Sequence, residues 1–144
     1  MLQDLGERRW KRPEIYRHWA LVRLAQQRPH EALTFAERSV STARQFQSYH
    51  DEGSGLRVLG QAQWANGRIE EAWASFEASL SILAGRDPYE TARTQVAWAK
   101  CLRLQGNTER SATLLQEARA TFLQLGAQRD LATLGEAVQG ALYS

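Results

Sequence analysis

GSGLRVLGQAQWANGRIEEAWASFEASLSILA, residues 53–84, reads as two amphipathic helices joined by a tight turn at Asn66-Gly67-Arg68. The first helix carries Leu56, Leu59, Gly60 and Trp64; the second carries Ala72, Phe76, Leu80 and Leu83. Apolar or small residues at three- and four-residue steps give each helix one buried face. Gly60 and Ala72 have no large side chain in the middle of that face, which lets two helix backbones approach at the short end of the packing range. A lone helix pair cannot bury both its faces, so this unit requires copies of itself on either side.

The copies are present. Gln27-Arg28-Pro29, Gly67-Arg68-Ile69 and Gly106-Asn107-Thr108 are turns spaced forty and then thirty-nine residues apart. Around them Ala20, Gly60 and Ala99 form one column, Ala32, Ala72 and Ser111 a second, and Trp19, Leu59 and Trp98 a third. Small residues align with small and large with large, which is the signature of a helical repeat.

Taken in order, the chain predicts helices at Pro13–Gln26, with Tyr16, Trp19, Ala20 and Leu24 inward, and at Pro29–Ser48, with Ala32, Leu33, Ala36 and Val40 inward. His50-Asp51-Glu52-Gly53 reads as a connector in which Asp51 caps the next helix. After the residue 53–84 pair, Gly85-Arg86-Asp87-Pro88 breaks the chain. Tyr89–Gln105 and Thr108–Leu125 make a third pair, with Val96, Trp98, Ala99, Leu102, Leu115, Ala118 and Phe122 inward. Asp130 to about Leu142 reads as a last amphipathic helix bearing Leu131, Leu134, Ala137 and Val138. The units are therefore expected at about 13–50, 51–88 and 89–127, with a capping helix at about 130–142, all in one domain. Met1–Arg12 reads either as the last turn of a preceding helix, because Leu2-Gln3-Asp4-Leu5-Gly6 resembles Leu123-Gln124-Leu125-Gly126, or as a basic terminal segment.

Composition agrees with an all-α fold. The 144 residues are 43% hydrophobic and 24% charged, with three prolines and ten glycines, and good helix formers dominate. The net charge of +2 imposes no acidic partner on the chain as a whole. A single cysteine, Cys101, excludes an internal disulfide and a cysteine-based zinc site, and its inward register predicts a buried small hydrophobe. No apolar run reaches the length of a membrane span and no signal-peptide core follows Met1, so a cytoplasmic location is expected.

The segment LGQAQWANGRIEEAWASFEASL resembles a tetratricopeptide repeat. Leu59-Gly60 stand at the large-small pair of that family's first helix, Gly67 at its turn, Glu70-Glu71-Ala72 at the start of its second helix and Phe76 at its aromatic. The flanking units depart from the pattern: Gln27 replaces the turn glycine, Ser111 the alanine, and Ala36 and Leu115 the aromatic. The resemblance covers about Pro13–Leu142 and implies a right-handed α-solenoid of three hairpins with a C-terminal capping helix. A repeat of about forty residues is similar to the long-repeat branch found in bacterial signalling ATPases and LuxR-type transcription activators, and in kinesin-light-chain-like scaffolds.

The residues do not converge on chemistry. His18, His30 and His50 stand on separate segments, His50-Asp51-Glu52 lacks a partner cluster for a metal, and Glu31, Glu70 and Glu71 open helices, where the helix dipole favours them. No enzyme activity, cofactor or metal is expected. Of the tryptophans, Trp19 and Trp98 are expected in the core, Trp73 as a wedge between units, and Trp64 either in the groove or in the core. The resemblance implies that the first helices line a concave groove, presenting Arg17, Arg57, Gln61, Trp64, Arg93, Lys100 and Arg103. Five of these seven side chains are cationic, which would favour a protein or peptide bearing carboxylates; the same side chains would also serve simply to solvate an exposed helix face. Leu21 and Gln61 stand where the carboxylate-clamp members of the family have Asn, so that specialised role is not implied.

The reading is therefore a non-enzymatic protein-interaction scaffold, part of a larger bacterial regulatory or signalling protein, that binds a peptide or partner protein in its groove. Rival readings are a self-association module acting through the array ends and a small-molecule inducer-sensing domain. Nucleic-acid binding through Arg8-Arg9-Trp10-Lys11-Arg12 is a weaker reading, with one aromatic among four cations.

Overall fold

The computed structural model describes residues 12–143, with side chains as far as residue 135. Expectations for Met1–Lys11, and for Ala137 and Val138 as core residues, lie outside the described residues. Seven helices follow one another there: α1 Pro13–Ala25, α2 Pro29–Gln45, α3 Tyr49–Ala65, α4 Ile69–Leu83, α5 Pro88–Leu104, α6 Thr108–Leu125 and α7 Gln128–Tyr143. No described residue is in a strand. The chain is an all-α helical repeat in which each helix packs on its neighbours.

Two layers result. Helices α1, α3 and α5 touch one another in succession as well as touching α2, α4 and α6, whereas the second set makes no comparable contact among its own members. The layer whose members approach each other is the inner one. Each outer helix also packs on the next inner one, α2 on α3, α4 on α5 and α6 on α7.

The turns explain why the pattern repeats. Gln27, Gly67 and Gly106 occupy one column and all adopt the left-handed backbone, with φ of 59°, 78° and 90°. Glycine accepts that conformation freely, while Gln27 does so at a cost of order 1 kcal/mol. The column keeps its geometry after losing its glycine because the helices on both sides dictate the reversal.

The helix starts differ in one place from the sequence expectation. His50-Asp51-Glu52-Gly53 is not a connector but the first turn of α3, and α2 ends at Gln45. Ser48, not Asp51, is the N-cap: its side chain accepts from the Asp51 N–H, and its hydroxyl donates to Asp51 Oδ2 at 2.8 Å. Gly53, read as the end of that connector, and Gly55 both lie within the helix, where neighbours press close against them. A Cβ at Gly55 would sit 3.1 Å from Ser39 Oγ, and one at Gly53 would fall on the Leu83 side chain.

Three apolar clusters run along the array. Ala20, Ala32, Leu33, Ala36, Val58 and Ala62 join the first hairpin to the second. Ala72, Phe76, Ala97, Trp98, Cys101 and Leu102 join the second to the third. Ala92, Ala118, Phe122 and Leu134 join the third to α7, where Leu131 adds a partly buried contact. Within the first two hairpins a buried serine reaches across: Ser39 Oγ donates to the Pro13 carbonyl at 2.9 Å, and Ser79 Oγ to the Gly53 carbonyl at 2.7 Å.

Trp98 is 1% exposed and stacks on Phe76, with ring centroids 5.9 Å apart and planes 13° apart. Trp73 stands 6.3 Å from both rings, between the second and third units. Trp19, expected in the core beside Trp98 in its column, is instead 43% exposed. The reason is positional. Leu59 packs against the cluster containing Ala32 and Leu33, and Trp98 against α4, so this column rests on the preceding outer helix. Among the described residues α1 has none, and Trp19 leans on Phe35 under the Arg23 guanidinium.

Candidate interaction surface

The inner layer can be read residue by residue because each helix repeats one face. On α1 the residue that meets α3 is Arg17, whose Nη1 lies 3.3 Å from Asp51 Oδ1. On α3 the residue forty positions on is Arg57, whose Nη1 lies 2.6 Å from Glu90 Oε2 on α5. Each arginine bonds the carboxylate in the first turn of the next inner helix. Positions four and seven residues further along continue the same helical face: Leu21 and Leu24 on α1, and Gln61 and Trp64 on α3. Lys100 and Arg103 are their counterparts on α5, where the arginine column itself ends in Val96.

The seven expected groove residues divide. Arg57 does not face a groove. Its side chain is 7% exposed, and that of Glu90 is 9% exposed. Ser54 Oγ also donates to Glu90 Oε2 at 3.2 Å, and Arg93 Nη1 reaches Oε1 at 3.3 Å. Burial alone would raise the Glu90 carboxyl, but the charge and hydrogen bond of Arg57 outweigh it and hold the group below the ordinary glutamate value. Burial pulls the Arg57 guanidinium down from the usual arginine value, against the opposing effect of Glu90. The two charges remain paired in a nearly dry site, so Arg57 serves the joint between units.

Arg17 is one-fifth exposed and committed to Asp51, while Arg93 is exposed and shares Glu90. Trp64 is half-buried against the second cluster, and its indole Nε1 is buried without a hydrogen-bond partner among the described residues. Gln61 and Arg103 are half-buried and Lys100 is exposed. No acid lies within ion-pair distance of Lys100 or Arg103 among the described residues.

Leu21, which stands where clamp members of the family have Asn, is 41% exposed on the same face, and Leu24, expected inward, is partly buried beside it. Sequence reasoning missed the acids that absorb the arginines. The signal for those was available: an acid stands thirty-four residues after Arg17 and thirty-three after Arg57, each time in the first turn of an inner helix. His50 and Glu52 are used across the same joints, His50 Nδ1 at 2.8 Å from Asp87 Oδ2 and Glu52 Oε2 at 3.3 Å from Arg44 Nε.

Cys101 is 6% exposed, and burial pushes its thiol up to about 12, against a small opposing effect of Lys100. No described helix is long and apolar enough to cross a membrane.

Comparison with known proteins places residues 12–84 within a family model described as the tetratricopeptide repeat. No curated protein and no solved structure matches the chain.

Proposed function

Because the chain belongs to the tetratricopeptide repeat family, a non-catalytic repeat that mediates protein–protein interaction, we propose that this interaction scaffold takes its partner on the inner face of α1, α3 and α5. The observation that carries the reading is the continuity of that face. Leu21 and Leu24, Gln61 and Trp64, and Lys100 and Arg103 follow one another across three helices in contact. Arg17, Arg57 and Arg93 stand at one edge, where they bind the chain's own acids. The packed clusters behind the face keep it rigid, so a partner segment bears most of the ordering cost. Service within a larger cytoplasmic regulatory or signalling protein is the setting this reading favours.

The test is a photo-crosslinking residue at position 61, compared with one at the exposed outer position Glu77, followed by affinity measurement on the captured partner. The position 61 probe is expected to capture it, and Gln61→Arg with Trp64→Ala to weaken binding at least tenfold while the circular dichroism stays helical. Unchanged affinity in the folded double variant would refute the inner-face reading.

A second reading, self-association through the array end, is favoured by the exposed Trp19 and its partly buried neighbour Phe35. Sedimentation across a wide concentration range would show a rising mass that Trp19→Ser abolishes; a constant monomer mass removes that reading.

A further inference from the structure

The inner face changes character from one end of the array to the other. On α1 its central positions are Leu21 and Leu24, both apolar; on α3 they are Gln61 and Trp64; on α5 they are Lys100 and Arg103, both cationic. Arg17 and Arg57 stand on the same face but are spent on Asp51 and Glu90, so they supply no free charge to the first two helices. Lys100 lies ten residues along α5 from Glu90, about 15 Å at the rise of a helix. The acids Glu14, Asp51, Glu52 and Glu90 all open inner helices, which keeps them at the opposite edge from Lys100 and Arg103.

We propose that the partner segment lies across the inner helices in one direction, apolar side chains over Leu21 and Leu24 and carboxylates over Lys100 and Arg103. The inference rests on the inner-face reading and adds polarity and register to it. Neighbouring helix axes are about 8–10 Å apart, so two steps span about 16–20 Å. An extended chain covers that distance in about five or six residues at about 3.3 Å each. The apolar and acidic ends of the recognised segment are therefore separated by that number of residues, with Trp64 and Gln61 beneath its middle. Charge complementarity selects the acidic end, because among the described residues no acid lies within ion-pair distance of Lys100 or Arg103.

The experiment uses fluorescence anisotropy of the full chain with three labelled peptides of equal length. One carries two leucines and two glutamates at the stated separation, one has lysines in place of the glutamates, and one has serines in place of the leucines. The leucine–glutamate peptide is expected to bind most tightly, with each altered peptide weaker by about tenfold. Lys100→Glu with Arg103→Glu is expected to invert the preference towards the lysine peptide, and Leu21→Ser to remove the advantage of leucine over serine. Equal affinity for all three peptides, no binding by any of them, or a preference that ignores the charge reversal at positions 100 and 103 would overturn the polarity. Gln61→Arg separates the two levels. If it weakens peptide binding while the charge reversal does nothing, only the direction fails; if binding ignores Gln61→Arg as well, the inner-face reading fails with it.

Discussion

Arg57 on α3 and Glu90 on α5 meet at 2.6 Å in a site where each side chain is less than one-tenth exposed. The pair sits at the joint between the second and third hairpins, tied further by Ser54 and Arg93. A buried pair of this kind says more about what happens when half of it is removed than about its net contribution. Both charges lose their water on folding, and their mutual attraction offsets that loss only while both are present.

Arg57→Ala is therefore expected to cost about 3–5 kcal/mol, since it strands the Glu90 carboxylate in a nearly dry site. The double variant Arg57→Met with Glu90→Leu is expected to recover most of that loss. Urea denaturation of the single and double variants measures both. A single variant that loses less than about 1 kcal/mol, the range of exposed pairs, would show that the site is wet.

The same pair sets an acid limit. Glu90 has a folded-state value below its unfolded one, so the unfolded chain binds more protons as the medium becomes acidic. Its contribution is fully present above the unfolded glutamate value of 4.5 and is lost as pH falls through the lower folded value. Stability measured from pH 7 downward should fall more steeply in the native chain than in Glu90→Gln, whose curve starts lower and is flatter. Parallel curves would remove Glu90 as the source.

Gly60 is held open by an aromatic ring. A Cβ there would stand 3.0 Å from two ring atoms of Phe76, which is fully buried and stacked on Trp98. Gly60→Ala forces the ring to move a few tenths of an ångström, and Gly60→Val forces more than the stack accommodates. The valine variant is expected to lose about 1–3 kcal/mol through overpacking, beyond any gain in helix propensity. Thermal unfolding of the two variants should rank valine well below alanine; equal stabilities would mean that the ring has room.

Cys101 should be chemically silent while the chain is folded. With the thiol at 6% exposure and pushed up to about 12, the thiolate that would react is scarcely populated at neutral pH. A disulfide-exchange dye is expected to label it only in denaturant, and prompt labelling of the native chain would contradict the burial.

Most of the architecture was legible because a repeat states its pattern three times. Ala20, Ala32, Ala72, Ala99 and Phe76 were read as packed positions from their columns, and all are fully buried. What the columns conceal is which outer helix covers each position. Trp19 shares a column with Trp98, but among the described residues no preceding outer helix covers it, so the same register gives an exposed ring. A glycine misled in the other direction: Gly53 reads as the end of a connector, and it marks a close approach inside α3 instead. The surface was harder to read than the core. Whether an arginine is free depends on an acid more than thirty residues away, so Arg57 seemed available when taken alone. Leu21 stands out in the sequence only as a departure from the clamp pattern, since periodicity alone does not tell an exposed apolar residue from a buried one.

Each inner joint is directional. The middle hairpin offers an acid, Asp51, to the unit before it and an arginine, Arg57, to the unit after it. It is in effect a coupling with a socket on one side and a plug on the other. Asp51 and Glu90 stand thirty-nine residues apart, one repeat. Excising residues 51–89 would bring the Arg17 plug of the first hairpin opposite the Glu90 socket of the third. The buried-edge pairing of arginine with first-turn acid can thus survive the gain or loss of a whole unit, although the more exposed Arg44 would give up Glu52 in the exchange.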